Sequence, residues 1–220
     1  MILRTMNNKE IHNELSKDME NVLRKANYMS STAFKQMLKR GKKEHTYFYE
    51  YISPMKNVWQ VLIKVEKKYM SGSSVTAQVF RKDHLDTYVI AASSTKDGTS
   101  DDHLVQHYTK HFIERYRERF LKNEEISLYD TAKKILENNS YAWRIKDNDL
   151  VYATTTSGIL FGKFEPIDYR RGMIDFTTFI TYDMIKDHQA DDTLELVELQ
   201  KSYEELFEEF KSSSNYDRIF

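Results

Sequence analysis

The residues best suited to chemistry are His103, His107, His111, Arg115 and Arg119, set four apart in the stretch HLVQHYTKHFIERYRER. Imidazoles move protons or ligate metals, and guanidiniums hold phosphate through paired N–H groups. On a continuous helix each four-residue step advances about 40° beyond a full turn, so the five drift across about 160° while any three neighbours stay within about 80°. Thr109 has the side chain of an N-cap, which starts the regular helix at Lys110 and puts His103 and His107 on a preceding loop or turn. The predicted catalytic unit is therefore His111, Arg115 and Arg119. His111 would act as general acid or base and the two arginines would stabilise phosphate charge, with His107 contacting the substrate. Phe112, Ile113, Tyr116 and Phe120 form the apolar side of the same helix.

Two other readings of these residues compete. Glu114 and Glu118 stand within pairing distance of the cations, so the row is also readable as a solvated, salt-bridged face. A metal site built from His103, His107 and His111 lacks the glutamate of a HExxH motif and any nearby cysteine. No metal and no cofactor are expected.

The stretch TKHFIERYRER resembles the Ser/Thr-x-His-x3-Arg-x3-Arg helix of BrnT-like toxins, whose compact fold is similar to RelE-type ribonucleases. The resemblance spans residues 109–182, because the strand-like runs LVYATT, GILFGKF and MIDFTTFIT follow the helix as a small antiparallel sheet would. It implies an RNA or other phosphate-bearing ligand and metal-independent, ribonuclease-like chemistry at His111, Arg115 and Arg119. It also implies that a polar residue of the last strand, Thr177, Thr178 or Thr181, faces the same pocket; Thr178 is taken as the substrate-binding one. Those toxins are small and basic, and they have no counterpart of the first hundred residues or of the acidic C-terminal part of this chain.

Composition sets the outer bounds. The 220 residues are 40% hydrophobic and 30% charged, with only 6 Gly and 2 Pro, which is the make-up of a folded chain able to bury one substantial core. Net charge is −1, so attraction to nucleic acid must come from a local patch; residues 103–122 carry +3. The absence of cysteine excludes disulfides and thiolate chemistry. MILRTMNNKEIH has no apolar signal-peptide core, and the longest apolar runs, such as YVIAA, are far too short to span a membrane. The expected address is cytoplasmic, with no membrane partner. No Gly-rich phosphate loop, Ser/His/Asp order or paired-carboxylate motif is present.

The elements that must position these residues read as an α+β chain and a single domain over 1–220. Apolar spacing predicts a helix from about Asn8 to Ala26 and a second, short one capped by Ser30, Ser31 or Thr32 and ending near Gly41. YFYEYI, the alternation of Trp59, Val61, Ile63 and Val65, VTAQVF and TYVIAA then predict an antiparallel meander, giving a helical hairpin plus meander over 1–92. Tyr47, Tyr49 and Tyr51 share one face of YFYEYI, where cross-strand packing is favoured over base stacking. After the polar loop Ser93–Asp102, helical sequence resumes from about His103 to Leu121 and again over 127–138. Trp143 and Arg144 fall in a loop, and 103–182 becomes a helix plus a three-stranded RelE-like unit. An acidic helical segment at 183–212 closes the chain, with a net charge of −7 and an apolar stripe of Leu199, Tyr203, Leu206, Phe207 and Phe210. It is a candidate docking element for a protein partner, or a mask for the basic helix. The rival to the RNA reading is a non-enzymatic interaction or structural domain.

Overall fold

The computed structural model describes residues 1–66, 73–94, 104–138, 142–145, 147–155, 157–168 and 171–185. They form helix α1 (Asn8–Lys39), strands β1 (Glu44–Ile52), β2 (Val58–Glu66), β3 (Ser73–Arg81), β4 (Asp86–Ser94) and β5 (Leu104–Tyr108), and helices α2 (Lys110–Tyr116) and α3 (Leu128–Glu137). Strands β6 (Ala142–Ile145), β7 (Leu150–Thr155), β8 (Gly158–Pro166) and β9 (Gly172–Ile180) follow. All nine strands join one sheet in the order β1-β2-β3-β4-β5-β9-β8-β7-β6. Every pairing is antiparallel except β5 with β9, which is parallel. The expected two blocks of strands are thus fused edge to edge, and the α+β class stands.

One long helix replaces the two expected at the N-terminus. Asn7 and Glu10 close a capping box at its start, and the apolar stripe from Ile11 through Leu15, Met19, Val22, Ala26 and Ala33 to Met37 is buried throughout. Ser30 does not cap a new helix: its hydroxyl donates to the Ala26 carbonyl at 2.8 Å and the helix runs on. The stripe packs on Trp59, Val61, Ile63 and Val65 of β2 and Val75, Ala77 and Val79 of β3, with Tyr47, Tyr49 and Tyr51 of β1 at its rim. In the middle of this interface lies a fully buried carboxylate. Asp18 Oδ2 accepts hydrogen bonds from Ser53 Oγ (2.6 Å), Asn57 Nδ2 (2.7 Å) and Trp59 Nε1 (2.8 Å), which ties the β1–β2 turn to the helix.

The opposite side of the sheet carries α2 and α3. Phe112, Ile113 and Tyr116 of α2 and Ala132, Ile135 and Leu136 of α3 pack on Val151, Ala153, Leu160, Ile174, Phe176 and Phe179. The expected helix over 103–121 divides differently. Residues 104–108 are a strand rather than helix or loop, and α2 passes at Arg117 into a π-helical turn, Arg117–Leu121. Trp143 and Arg144, read as loop, lie in β6, so four strands rather than three follow α3. A register shift between Phe161 and Gly162 bends the β8–β9 pair. Gly158 opens β8 with its Cα pressed against the Ile180 carbonyl, a closeness no side chain would allow. His103 and the acidic stretch from 186 onward lie outside the described residues, and no helix among the described residues is long and apolar enough to cross a membrane.

Replacing Asp18 by Ala would leave three buried donors without their acceptor. Each such loss costs about 1–3 kcal/mol, so D18A is expected to lose at least about 3 kcal/mol in urea denaturation with an unchanged m-value. A loss below about 1 kcal/mol would show that water replaces the carboxylate there.

Candidate functional site

The start of α2 is fixed from two directions. Thr109 Oγ1 accepts from the Phe112 amide at 3.2 Å, the predicted N-cap, and the Thr109 amide donates to the Phe176 carbonyl of β9 at 3.1 Å. With Phe112, Ile113 and Tyr116 buried, Lys110, His111, Glu114, Arg115 and Glu118 are left on the outer side of the helix. His111 is exposed, and Arg115 Nε donates to its Nε2 at 3.5 Å. Arg115 Nη1 also donates to Glu118 Oε2 at 3.0 Å, and Lys110 lies 3.6 Å from Glu114. These pairs are largely exposed and hold their partners only loosely.

Arg119 leaves this group. The π-helical turn breaks the four-residue register on which the row depends, and Arg119 Nη1 donates to the Phe179 carbonyl on β9. Thr178 is placed away from His111 as well. It pairs with Phe161, while the adjacent Phe179 and Leu160 form a pair inside the core beneath α2, so alternation turns Thr178 to the α1 side. His107 also faces the α1 side, because it sits on a strand where a helix would have carried it beside His111. Of His107, His111, Arg115, Arg119 and Thr178, the structure brings together two, His111 and Arg115.

His107 instead occupies a charged cluster that crosses β3, β4, β5 and β9. Its Nδ1 lies 2.8 Å from Asp175 Oδ1 and its Nε2 lies 3.1 Å from Asp86 Oδ2. Arg81 grips the same Asp86 through Nε at 2.9 Å and Nη2 at 3.1 Å. The imidazole stacks on Tyr88 with ring centres 4.4 Å apart, and the Arg81 guanidinium lies 5.5 Å from the centre of the same ring. Burial works against a charged imidazole here, but the hydrogen bonds to Asp175 and Asp86 outweigh it and raise the His107 pKa above its usual value. Burial likewise opposes the Asp86 carboxylate, yet His107 and Arg81 hold its pKa below the ordinary carboxylate value. Carboxylates at both ring nitrogens call for two N–H donors, so His107 is an imidazolium with no nitrogen left for a substrate.

Asp86 and Asp175 stand at opposite nitrogens and do not converge, and among the described residues no His, Asp or Glu group is arranged to hold a metal. Sequence reasoning passed over Arg81, Asp86 and Asp175. A signal for them exists: Asp175 is a lone charge within the apolar strand MIDFTTFIT, and Arg81 and Asp86 face each other across a hairpin.

One cavity, large enough for little more than a water molecule, lies between α2, α3 and the sheet, lined by Tyr108, Phe112, Tyr116, Ile135, Asn138, Thr155 and Leu160. Asn138 Nδ2 donates to the Tyr116 hydroxyl there at 2.8 Å, and burial raises the Tyr116 pKa. His111 and Arg115 do not line it. No protein-family model, curated protein or solved structure matches this chain.

The cluster sets a pH window for stability. The Asp86 contribution is fully present above its unfolded pKa of about 3.9 and is lost as pH falls through its lowered folded value. The His107 contribution is fully present below about 6.5 and is lost as pH rises through its raised folded value. Urea midpoints are therefore expected to be highest between about pH 4 and about pH 6.5. His107→Gln is expected to cost about 3 kcal/mol within that window and to flatten the alkaline decline; a decline that persists unchanged in this variant would place its origin elsewhere.

Proposed function

We propose that this chain binds RNA, a phosphate-bearing ligand, through the outer surface of α2, with His111 and Arg115 as the contacting pair. The observation that carries this reading is the adjacency of an exposed imidazole and a guanidinium 3.5 Å away, with Lys110 beside them on a helix whose other side is fully committed to the core. Arg115 offers fork-shaped donors to a phosphate oxygen, and His111 donates or accepts a proton at the same group. The Glu114 and Glu118 carboxylates that now hold Lys110 and Arg115 are partly exposed, weak partners, readily exchanged for a more highly charged phosphate. The resemblance of TKHFIERYRER to the BrnT-like helix supports RNA as the source of that phosphate. A cytoplasmic setting goes with it.

Binding is favoured over cleavage. Strand scission needs an acid and a base on either side of the reacting phosphate, together with charge stabilisation. Here Arg119 is turned to the Phe179 carbonyl and His107 lies on the far side of the sheet, which leaves one imidazole and one guanidinium on an open surface. The function is then recognition, with no turnover.

Fluorescence anisotropy of labelled single-stranded RNA with the full chain tests this. His111→Ala combined with Arg115→Ala is expected to weaken binding by about tenfold or more and to lower the salt dependence by about one phosphate contact, with the melting temperature unchanged. Affinity that is absent in the unmodified protein, or unaltered in the folded double variant, would sink the reading. RNA cut by the unmodified protein and left intact by the double variant would restore a ribonuclease role for the pair.

A further inference from the structure

We infer that the face of β7, β8 and β9 turned away from α2 and α3 is a docking surface for the chain's own acidic C-terminal segment, residues 186–220. The inference is independent of RNA binding.

Strand alternation identifies the face. Val151, Ala153, Leu160, Ile174, Phe176 and Phe179 point into the core beneath α2 and α3, so Tyr152, Thr154, Ile159, Phe161 and Thr178 point the other way. Their cross-strand pairing agrees: Thr154 is opposite Ile159, Tyr152 opposite Phe161, and Phe161 opposite Thr178. The rings of Tyr152 and Phe161 meet edge to face at 5.3 Å. On this side of the sheet α1 lies over β1, β2, β3 and part of β9 and packs with Met173, near the start of that strand.

Even so, Ile159 is only 1% exposed and Thr154 is fully buried, although Ile159 belongs to neither hydrophobic core. The Thr154 hydroxyl is buried with no hydrogen-bond partner among the described residues. Lys163, further along β8 and paired with Asp175, adds an exposed cation to the same side.

The chain leaves the sheet beside this face. After β9 the turn Tyr182–Met184 sets the Tyr182 hydroxyl on the Thr155 carbonyl of β7, and 35 residues follow Ile185. Within them Leu199, Tyr203, Leu206, Phe207 and Phe210 recur at helical spacing, with acids between. From Leu199 to Phe210 a helix would extend about 17 Å at 1.5 Å per residue. That reaches across three strands spaced about 4.8 Å apart. The stretch 186–198 is a tether of thirteen residues, which holds the stripe near the face at a local concentration on the order of millimolar. A second molecule or a separate partner would have to outcompete that advantage. The acids between the apolar positions would remain outward and favour the side carrying Lys163.

The chain contains no cysteine, so paired cysteines report proximity in the intact protein without background. Phe161→Cys with Leu206→Cys, and separately Tyr152→Cys with Phe210→Cys, are to be oxidised in the full-length monomer. Glu118→Cys with Leu206→Cys, on the outer side of α2, is the comparison pair. At least one face pair is expected to form its intramolecular disulfide ten times faster than the comparison pair or more. Failure of both face pairs to close, closure only between two molecules, or equal rates at Glu118 would each overturn the assignment; the last result would instead favour masking of α2.

Discussion

The parallel pairing of β5 with β9 is the constraint on which the rest of this structure depends. It joins an antiparallel meander of five strands to one of four, and without it the chain would hold two separate sheets. Backbone hydrogen bonds over only five residue pairs make the join, and it is reinforced on the α1 side by the Asp86–His107–Asp175 cluster, which links β4, β5 and β9 through one imidazolium. Buried charge of this kind costs desolvation and holds only while every member is paired. Arg81 completes it, so the two carboxylates of the cluster are met by two cations.

The same join decides what α2 can present. Thr109 follows β5 directly and is tied to the Phe176 carbonyl of β9, so the helix begins on top of the junction with Phe112 and Tyr116 directed into the core. Two histidines four residues apart therefore end on opposite sides of a sheet. One is consumed in structure, and the other is left at the surface beside Arg115. A helical turn widened at Arg117 then separates Arg119 from both.

Much of the architecture was legible in the residues. The alternation of Trp59, Val61, Ile63 and Val65 marks β2, the side chain of Thr109 marks the start of α2, and the lone Gly158 marks the turn into β8, because each of these signals is local. Where the reading failed, two local signals conflicted or the deciding contact was distant. Ser30 to Thr32 carry capping chemistry, but the stripe continuing to Ala33 and Met37 keeps them within α1. His107 stands at helical spacing from His111, but Leu104 to Tyr108 pair with β4 on one side and with 172–176 of β9 on the other, and only that distant pairing makes them a strand. For the same reason the candidate site was half legible. His111 and Arg115 depend on the helix alone, whereas the fates of His107, Arg119 and Thr178 are set by β9, more than fifty residues away from all but the last.

The place of β9 in the strand order also governs how the chain can be made. Among the described residues it is the last strand in chain order, yet it sits in the interior of the sheet, between β5 and β8, with sixty-three residues separating it from the end of β5. Until it arrives the N-terminal meander ends in the bare edge of β5, and β6 to β8 form a second piece with two edges of its own. A nascent chain thus carries four open strand edges where the finished sheet keeps two, and long-range closure of this kind is slow and exposes those edges to neighbouring chains. The arrival of β9 converts an aggregation-prone pair of half-sheets into one protected layer, so the hazard lasts until that strand has emerged.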